Sequence, residues 1–305
     1  MTQFDPCTTT TEAPTATSDF RSSSSAGQTE DVRADEAVLE RTDAALDQIE
    51  QLSDRLDEHL DEQTGDDAPV IDFALPEGFL LSIVVPVYNE ESTIHQVIDR
   101  LRSLPLPKEI VVVDDASTDG TREVLRSLER MPDVHVIYKP SNEGKGAALR
   151  TGFEYVTGDL VVVQDADLEY NPGEIPPLLK PILEGRSDVV YGSRFLEKRH
   201  RGSSGVHRLG NRMLTVASNL LTGLRLTDME TCYKVMRRDV VDALHIQQNR
   251  FGFEPEVTAK LARLQYRITE LPVSYHARSF AEGKKIGLRD AANALYCIVR
   301  YAWTD

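Results

Sequence analysis

Residues 81–90 read LSIVVPVYNE, residues 109–121 read EIVVVDDASTDGT and residues 160–169 read LVVVQDADLE. Each is a short apolar, β-branched run that stops at polar residues: Asn89 and Glu90 in the first, Asp114 and Asp115 in the second, Asp165 and Asp167 in the third. Strands that are apolar throughout, without alternation, are buried on both faces. Segments of helical period at 90–104 and 119–131 would supply the cover, and further strand-like runs at 134–138 and 188–191 extend the pattern. The expected fold is α/β, a mostly parallel central sheet flanked by helices. In such sheets ligands bind beyond the carboxyl ends of the strands, where these carboxylates cluster.

Charge is unevenly spread around this segment. The 305-residue chain carries a formal net charge of -16. Residues 1–78 hold 20 acidic against 4 basic residues, and residues 79–305 hold 30 of each, so all the excess precedes the α/β segment. Residues 1–31 are rich in Ser, Thr and acidic residues with almost no large apolar side chain, and are expected to be disordered. Residues 32–64 are expected to form an amphipathic helix, with Leu39, Leu46 and Leu60 at multiples of seven and Ile49 and Leu56 between them. Ser53 interrupts that seam, so the helix either packs on its own domain or pairs as a weak coiled coil and makes an oligomer. Residues 65–78 read as a linker and residues 79–305 as one domain.

Composition excludes several classes. A sequence pI near 4.9 argues against a nucleic-acid partner. Cys7, Cys232 and Cys297 show neither disulfide-framework nor metal-site spacing, which suits a reduced, cytoplasmic setting. No window approaches the roughly 18 consecutive apolar residues of a membrane span, and the N-terminus lacks a secretory pattern, so the expected chain is soluble or peripheral.

Asn89 and Asp119 serve equally well as caps for the helices that follow them. The Asp165-Ala166-Asp167 step is harder to explain that way. Two carboxylates two residues apart, leaving a strand, can turn to one side, and like charges that close need a cation between them. Hard oxygen ligands select Mg²⁺ or Mn²⁺, and a metal held by few carboxylates usually completes its shell with substrate phosphates.

The strings PVYNE (86–90), VVDDASTDGT (112–121), NEGKGAALRTG (142–152), QDADLE (164–169) and YGSRF (191–195) occur in an order that resembles family 2 glycosyltransferases of the GT-A fold. Within that family the chain looks most like the polyprenyl-phosphate (dolichyl-phosphate) hexosyltransferases, from about residue 81 to residue 301. The resemblance implies metal-dependent, inverting transfer of a hexose from GDP-mannose or UDP-glucose to a polyprenyl phosphate. By position it implies that Pro86, Tyr88, Glu90, Val113 and Asp115 line the nucleoside pocket, Tyr88 being open also to a core role. Lys145 would touch the donor; its string lacks the spacing of a phosphate-binding P-loop, which excludes an ATPase. Asp165 and Asp167, flanking Ala166, would hold the metal, with Glu169 as a further ligand where relatives often carry Gln.

Arg194 and Arg208 match positions that bind the acceptor phosphate in that group, and forked guanidiniums suit a phosphate. Arg194 opens a basic run that also holds Lys198, Arg199, Arg201, Arg208 and Arg212, and such a run otherwise reads as a solvated loop. Arg278 and Lys284 match a loop that closes over the donor diphosphate, so Asp167, Arg208, Arg278 and Lys284 form the expected catalytic set. In residues 286–303, Leu288, Ala292, Leu295, Val299 and Trp303 share one helical face, which either packs on the sheet or lies in a membrane surface. A phosphate acceptor is already anionic and needs no strong base. A hydroxyl acceptor on a glycan or protein would need one, from Asp228, Glu230, Glu254 or Glu256. A third alternative is a non-catalytic scaffold working through the N-terminal helix.

Overall fold

The computed structural model describes residues 71–196, 200–201, 205–277 and 288–303. The tail and amphipathic helix expected before residue 65 lie outside them, as do Arg278 and Lys284.

In chain order come β1 (Leu81–Val87), α1 (Ile94–Arg102), β2 (Lys108–Asp114), α2 (Thr121–Leu128), β3 (Val134–Tyr138), α3 (Lys145–Phe153) and β4 (Leu160–Val163). They are followed by α4 (Ile175–Leu183), β5 (Val189–Ser193), β6 (His200–Arg201), α5 (Gly205–Thr222), β7 (Lys234–Arg237) and α6 (Arg238–Ala243). Last come α7 (Phe253–Arg263), β8 (Ile268–Pro272), β9 (Tyr275–His276) and α8 (Leu288–Trp303).

Seven strands form one sheet in the order β3-β2-β1-β4-β7-β5-β8. β1 pairs in parallel with both β2 and β4, while β7 runs antiparallel between β4 and β5. The expected α/β sheet is therefore present, with one reversed strand inserted. β7 and β8 are the strands that local pattern did not show. KVMR is short and its Lys234 is fully buried, and ITELP is half-exposed, so neither reads as an apolar run.

Helices cover the sheet through narrow apolar faces. α1 buries Ile94, Val97, Ile98 and Leu101, a spacing of three and four residues that places them on one side. Truncating one of these, such as Leu101→Ala, should cost about 2–5 kcal/mol. α1 begins later than its periodicity suggests, because Asn89 is left-handed (φ 54°) and the amide of Glu90 bonds Thr121 Oγ1 at the start of α2. The boundary at residue 78 also moves upstream: Ile71, Phe73 and Leu75 pack against the core, and Lys180 bonds Asp72 at 2.8 Å. Residues 71–78, expected as linker, thus lie on the domain.

Strand order runs outward from β1 to β2 and β3 on one side and from β1 to β4 on the other. The crevice at such a reversal is the usual ligand site of an α/β sheet.

Candidate active site

The loops after β1 and β2 are laced together at that crevice. Ser117 Oγ accepts from the amide of Asn89 (3.0 Å), and Asn89 Oδ1 accepts from the amide of Thr118 (2.8 Å). Asn89 is thereby a cross-loop tie and not a cap of α1, whereas Asp119 does accept from the amide of Thr121 at the start of α2. Among the described residues, three of the four non-glycine residues with positive φ, Asn89, Ala116 and Leu168, follow β1, β2 and β4. Backbone held in this sparsely populated region gathers at sites where the fold over-determines it.

Asp115 organises the next segment. Its carboxylate accepts from Lys139 Nζ (2.7 Å) and from the amides of Glu143 (3.1 Å) and Gly144 (2.6 Å). Gly144 takes φ +102°, and a Cβ there would meet the carbonyl oxygen of Asn249 at 2.6 Å, so the NEGKG string needs glycine at that turn. This fixes the start of α3 and directs Lys145 inward. Burial alone would lower the Lys145 ammonium, but the carboxylates of Asp165 and Glu254 reverse that and hold it well above its ordinary range. Its Nζ lies 3.0 Å from Asp165 Oδ1 and 3.0 Å from Glu254 Oε1.

Of the expected nucleoside-pocket residues, Pro86 and Tyr88 are half-buried and Glu90 is nearly buried, accepting from Thr93 Oγ1 at 2.9 Å. Val113 is a correction. It has 0% exposure and belongs to the hydrophobic core, so it stands behind the pocket wall rather than on it. Asp165 and Asp167 are half-buried on either side of buried Ala166. Glu169 is engaged elsewhere as well: its Oε2 accepts from Tyr275 at 2.7 Å, while its amide donates to Asp167 Oδ1 at 3.2 Å. Among the described residues, no three metal-ligating side chains converge on one point, so the three-carboxylate set expected from sequence is not assembled. The pair Asp165 and Asp167 still suits a hard cation. Its donors are carboxylate oxygens, and Asp165 already grips a stand-in cation, the Lys145 ammonium, with both oxygens (3.0 and 3.1 Å).

Arg194 and Arg208 are not equivalent. Arg194 directs Nε (2.6 Å) and Nη2 (2.8 Å) to Asp228 and lies over the Tyr275 ring at 4.9 Å, so the fork expected to meet a phosphate is occupied by a carboxylate. Arg208, on α5, is exposed. The four candidate bases are also accounted for. Burial would raise the Asp228 carboxyl, but Arg194 outweighs it and holds it below the ordinary range. Glu254 is paired with Lys145, and Glu256 accepts from the amides of Gln247 and Gln248, both at 2.7 Å. Glu230 is pushed up to about 8, first by burial and then by the charge of Glu254, and its Oε1 has no hydrogen-bond partner among the described residues.

Sequence reading missed Lys139, Lys234 and Tyr275. Lys139 lies 2.7 Å from Glu143 as well as from Asp115. Lys234 sits 4.8 Å over the Tyr191 ring and donates to the carbonyl of Thr231. Local pattern gave little signal, since Lys234 opens a four-residue strand, KVMR, that also ends in a charge.

Residues 82–244 match the family described as glycosyl transferase family 2. An undecaprenyl-phosphate 4-deoxy-4-formamido-L-arabinose transferase from Aeromonas hydrophila is 33% identical over 227 residues, 72% of this chain and 67% of that protein. An undecaprenyl-phosphate mannosyltransferase from Micrococcus luteus is 33% identical over 217 residues, 67% of this chain and 86% of that protein. The chain thus spans about two thirds of the first relative and most of the second. Among solved structures, glucosyl-3-phosphoglycerate synthase from Mycobacterium tuberculosis superposes with a TM-score of 0.60 at 24% identity, covering 75% of this chain and 82% of that one. That likeness concerns the GT-A fold. Motif order, sheet topology and the family match agree, and the chain belongs to glycosyl transferase family 2, as a glycosyltransferase.

Proposed function

We propose that this glycosyltransferase moves a sugar from a nucleoside diphosphate onto a polyprenyl phosphate at a membrane surface. The observation that carries the acceptor is the orientation of α5. This helix turns polar residues inward, with Thr215 and Ser218 buried, and large apolar residues outward, with Met213 65% and Leu220 79% exposed. Leu209 and Val216 continue the outward stripe, and Arg208 and Arg212 are also exposed at its N-terminal end. α8 packs beside α5 and presents Leu295, Tyr296, Val299 and Trp303 to the exterior, while Ala294, Cys297, Ile298 and Tyr301 make its buried side. Three residues of the stripe seen in sequence, Leu295, Val299 and Trp303, therefore face outward and not onto the sheet. An apolar face bordered by arginines and carrying Trp and Tyr suits an interfacial lipid layer. No described helix is long and apolar enough to cross a membrane. Both named relatives act on undecaprenyl phosphate.

Asp165 and Asp167 would hold Mg²⁺ or Mn²⁺, which as a Lewis acid neutralises the leaving diphosphate. Pro86, Tyr88, Glu90 and Asp115 would frame the nucleoside. Arg208 would orient the acceptor phosphate, Arg194 would fix the loop after β5 through Asp228, and Arg278 with Lys284 would meet the donor diphosphate. The acceptor oxygen would displace the nucleotide in line, with inversion. The engagement of Asp228, Glu254 and Glu256 and the protonation of Glu230 support an acceptor that needs no base. As donor, a mannosyl or formamido-arabinosyl nucleotide accords with the relatives' names, and UDP-glucose with neither.

The test is product partition. Full-length protein with Mn²⁺, undecaprenyl phosphate in vesicles and a panel of sugar-labelled nucleotides should send label into the organic phase. Arg208→Ala should lower that label about ten- to a hundredfold. Label that stays aqueous on a hydroxyl acceptor and ignores Arg208→Ala would overturn the assignment.

A further inference from the structure

Lys145 occupies the place where a metal ligand must be free. Both oxygens of Asp165 face its Nζ, at 3.0 and 3.1 Å, and Glu254 Oε1 lies 3.0 Å away on the other side. A single ammonium thus joins the end of β4 to the first turn of α7. The backbone beneath it is pinned, since the amides of Glu143 and Gly144 bond Asp115 and the amide of Ala147 bonds the carbonyl of Asn249 at 3.0 Å. Only charge holds the tip. Lys145 is 16% exposed and Asp165 is 22% exposed, so solvent and solutes reach the pair, whereas Glu254 beyond it is 5% exposed. A divalent ion bound by Asp165 would need the oxygens that Lys145 now holds, and two cations on one carboxylate repel.

We propose that Lys145 is a built-in competitor for the metal. It neutralises Asp165 while the donor is absent. When the metal arrives with a diphosphate, the ammonium leaves Asp165, stays tethered by Glu254, and gains a phosphate as its new anion. The inference rests on the metal and diphosphate reading of this site and adds an order to it: free metal binds weakly, and nucleotide and metal strengthen one another. Coupling of this kind is reciprocal.

The test uses full-length protein titrated with Mn²⁺ alone, free ion being followed by its paramagnetic resonance signal. Lys145→Met should bind Mn²⁺ about tenfold more tightly than wild type, within the range typical of coupled sites. In an Asp165→Asn background the same substitution should bring no gain. Lys145→Gln repeats the measurement with a polar side chain should Met impair folding, which thermal melting reports. Equal or weaker Mn²⁺ binding by a folded Lys145 variant overturns the competition while leaving the metal site standing. Failure of wild type and variants alike to bind Mn²⁺, with or without GDP or UDP, overturns both.

Discussion

At the amino end of the sheet, Glu109 accepts from Ser82 Oγ (2.5 Å), Thr157 Oγ1 (2.9 Å) and the amide of Gly158 (3.2 Å). Asp188 there accepts from the amide of Arg267 (2.9 Å), from its Nε (3.0 Å) and from Arg237 Nη1 (3.1 Å). At the carboxyl end, beside β4 and β7, Asp165 and Glu254 share Lys145, and Glu230 keeps one oxygen without a hydrogen-bond partner among the described residues. Both ends bring carboxylates to strand termini, and Asp115 at the carboxyl end is as fully answered as Glu109 or Asp188, but the cluster of Asp165, Glu254 and Glu230 shares fewer donors. Saturated carboxylates contribute to the fold, while a buried, under-satisfied cluster costs stability that a bound cation or phosphate can offset. Site and scaffold thus differ less in residue type than in how completely each charge is answered.

Substitutions at the two ends should fail in different ways. Asp167→Ala at the carboxyl end should lower lipid-linked product about a thousandfold while leaving the melting temperature nearly unchanged. A large loss of melting temperature would assign Asp167 to the scaffold instead. The outward face of α5 is a second under-satisfied surface. Met213→Asp combined with Leu220→Asp should reduce flotation with anionic vesicles about tenfold or more, again without destabilising the domain. Unchanged flotation would detach this face from the membrane.

Asp188→Asn should do the reverse, costing about 1–3 kcal/mol of stability with transfer intact. Hydrogen bonds from Arg267 hold the Asp188 carboxyl down to about 2, from an ordinary 3.8. Its contribution is present above the ordinary value and lost as pH falls toward 2, so the gap to wild type in acid unfolding should close over that window. Glu230 should show an effect confined to high pH, where burial and the charge of Glu254 outweigh the opposing Lys234 and Arg194. With the folded carboxyl at about 8 against an ordinary 4.5, the unfolded chain releases its proton first, and stability is lost as pH rises through that interval. Glu230→Gln should melt with wild type near pH 4.5 and about 10 °C above it at pH 9. A gap independent of pH would show that the carboxyl is not held neutral.

Much of this was legible locally. The runs at β1, β2, β4 and β5 were visible because strands buried on both faces are apolar nearly throughout, and the edge strand β3 because Val134, Val136, Ile137 and Tyr138 favour extended backbone. The carboxylates of Asp115, Asp165 and Asp167 were visible because they follow such runs directly. β7 was not, since Lys234 and Arg237 leave it only two apolar residues, and Lys234 is accommodated by the Tyr191 ring, the Thr231 carbonyl and the charge of Glu254. The roles of Arg194 and Val113 also shifted on folding, the first toward Asp228 and the second into the core.

By itself, the order of residues determined the α/β class, the family and the edge of the sheet that carries the chemistry, because periodicity and strand-end motifs are properties of neighbours along the chain. Which cation answers which carboxylate, and which way α5 faces, were decided by tertiary structure alone. Asp165 meets Lys145, Lys145 meets Glu254, and Arg194 meets Asp228 across separate elements. Electrostatic partnership depends on distance in space, which no local pattern encodes.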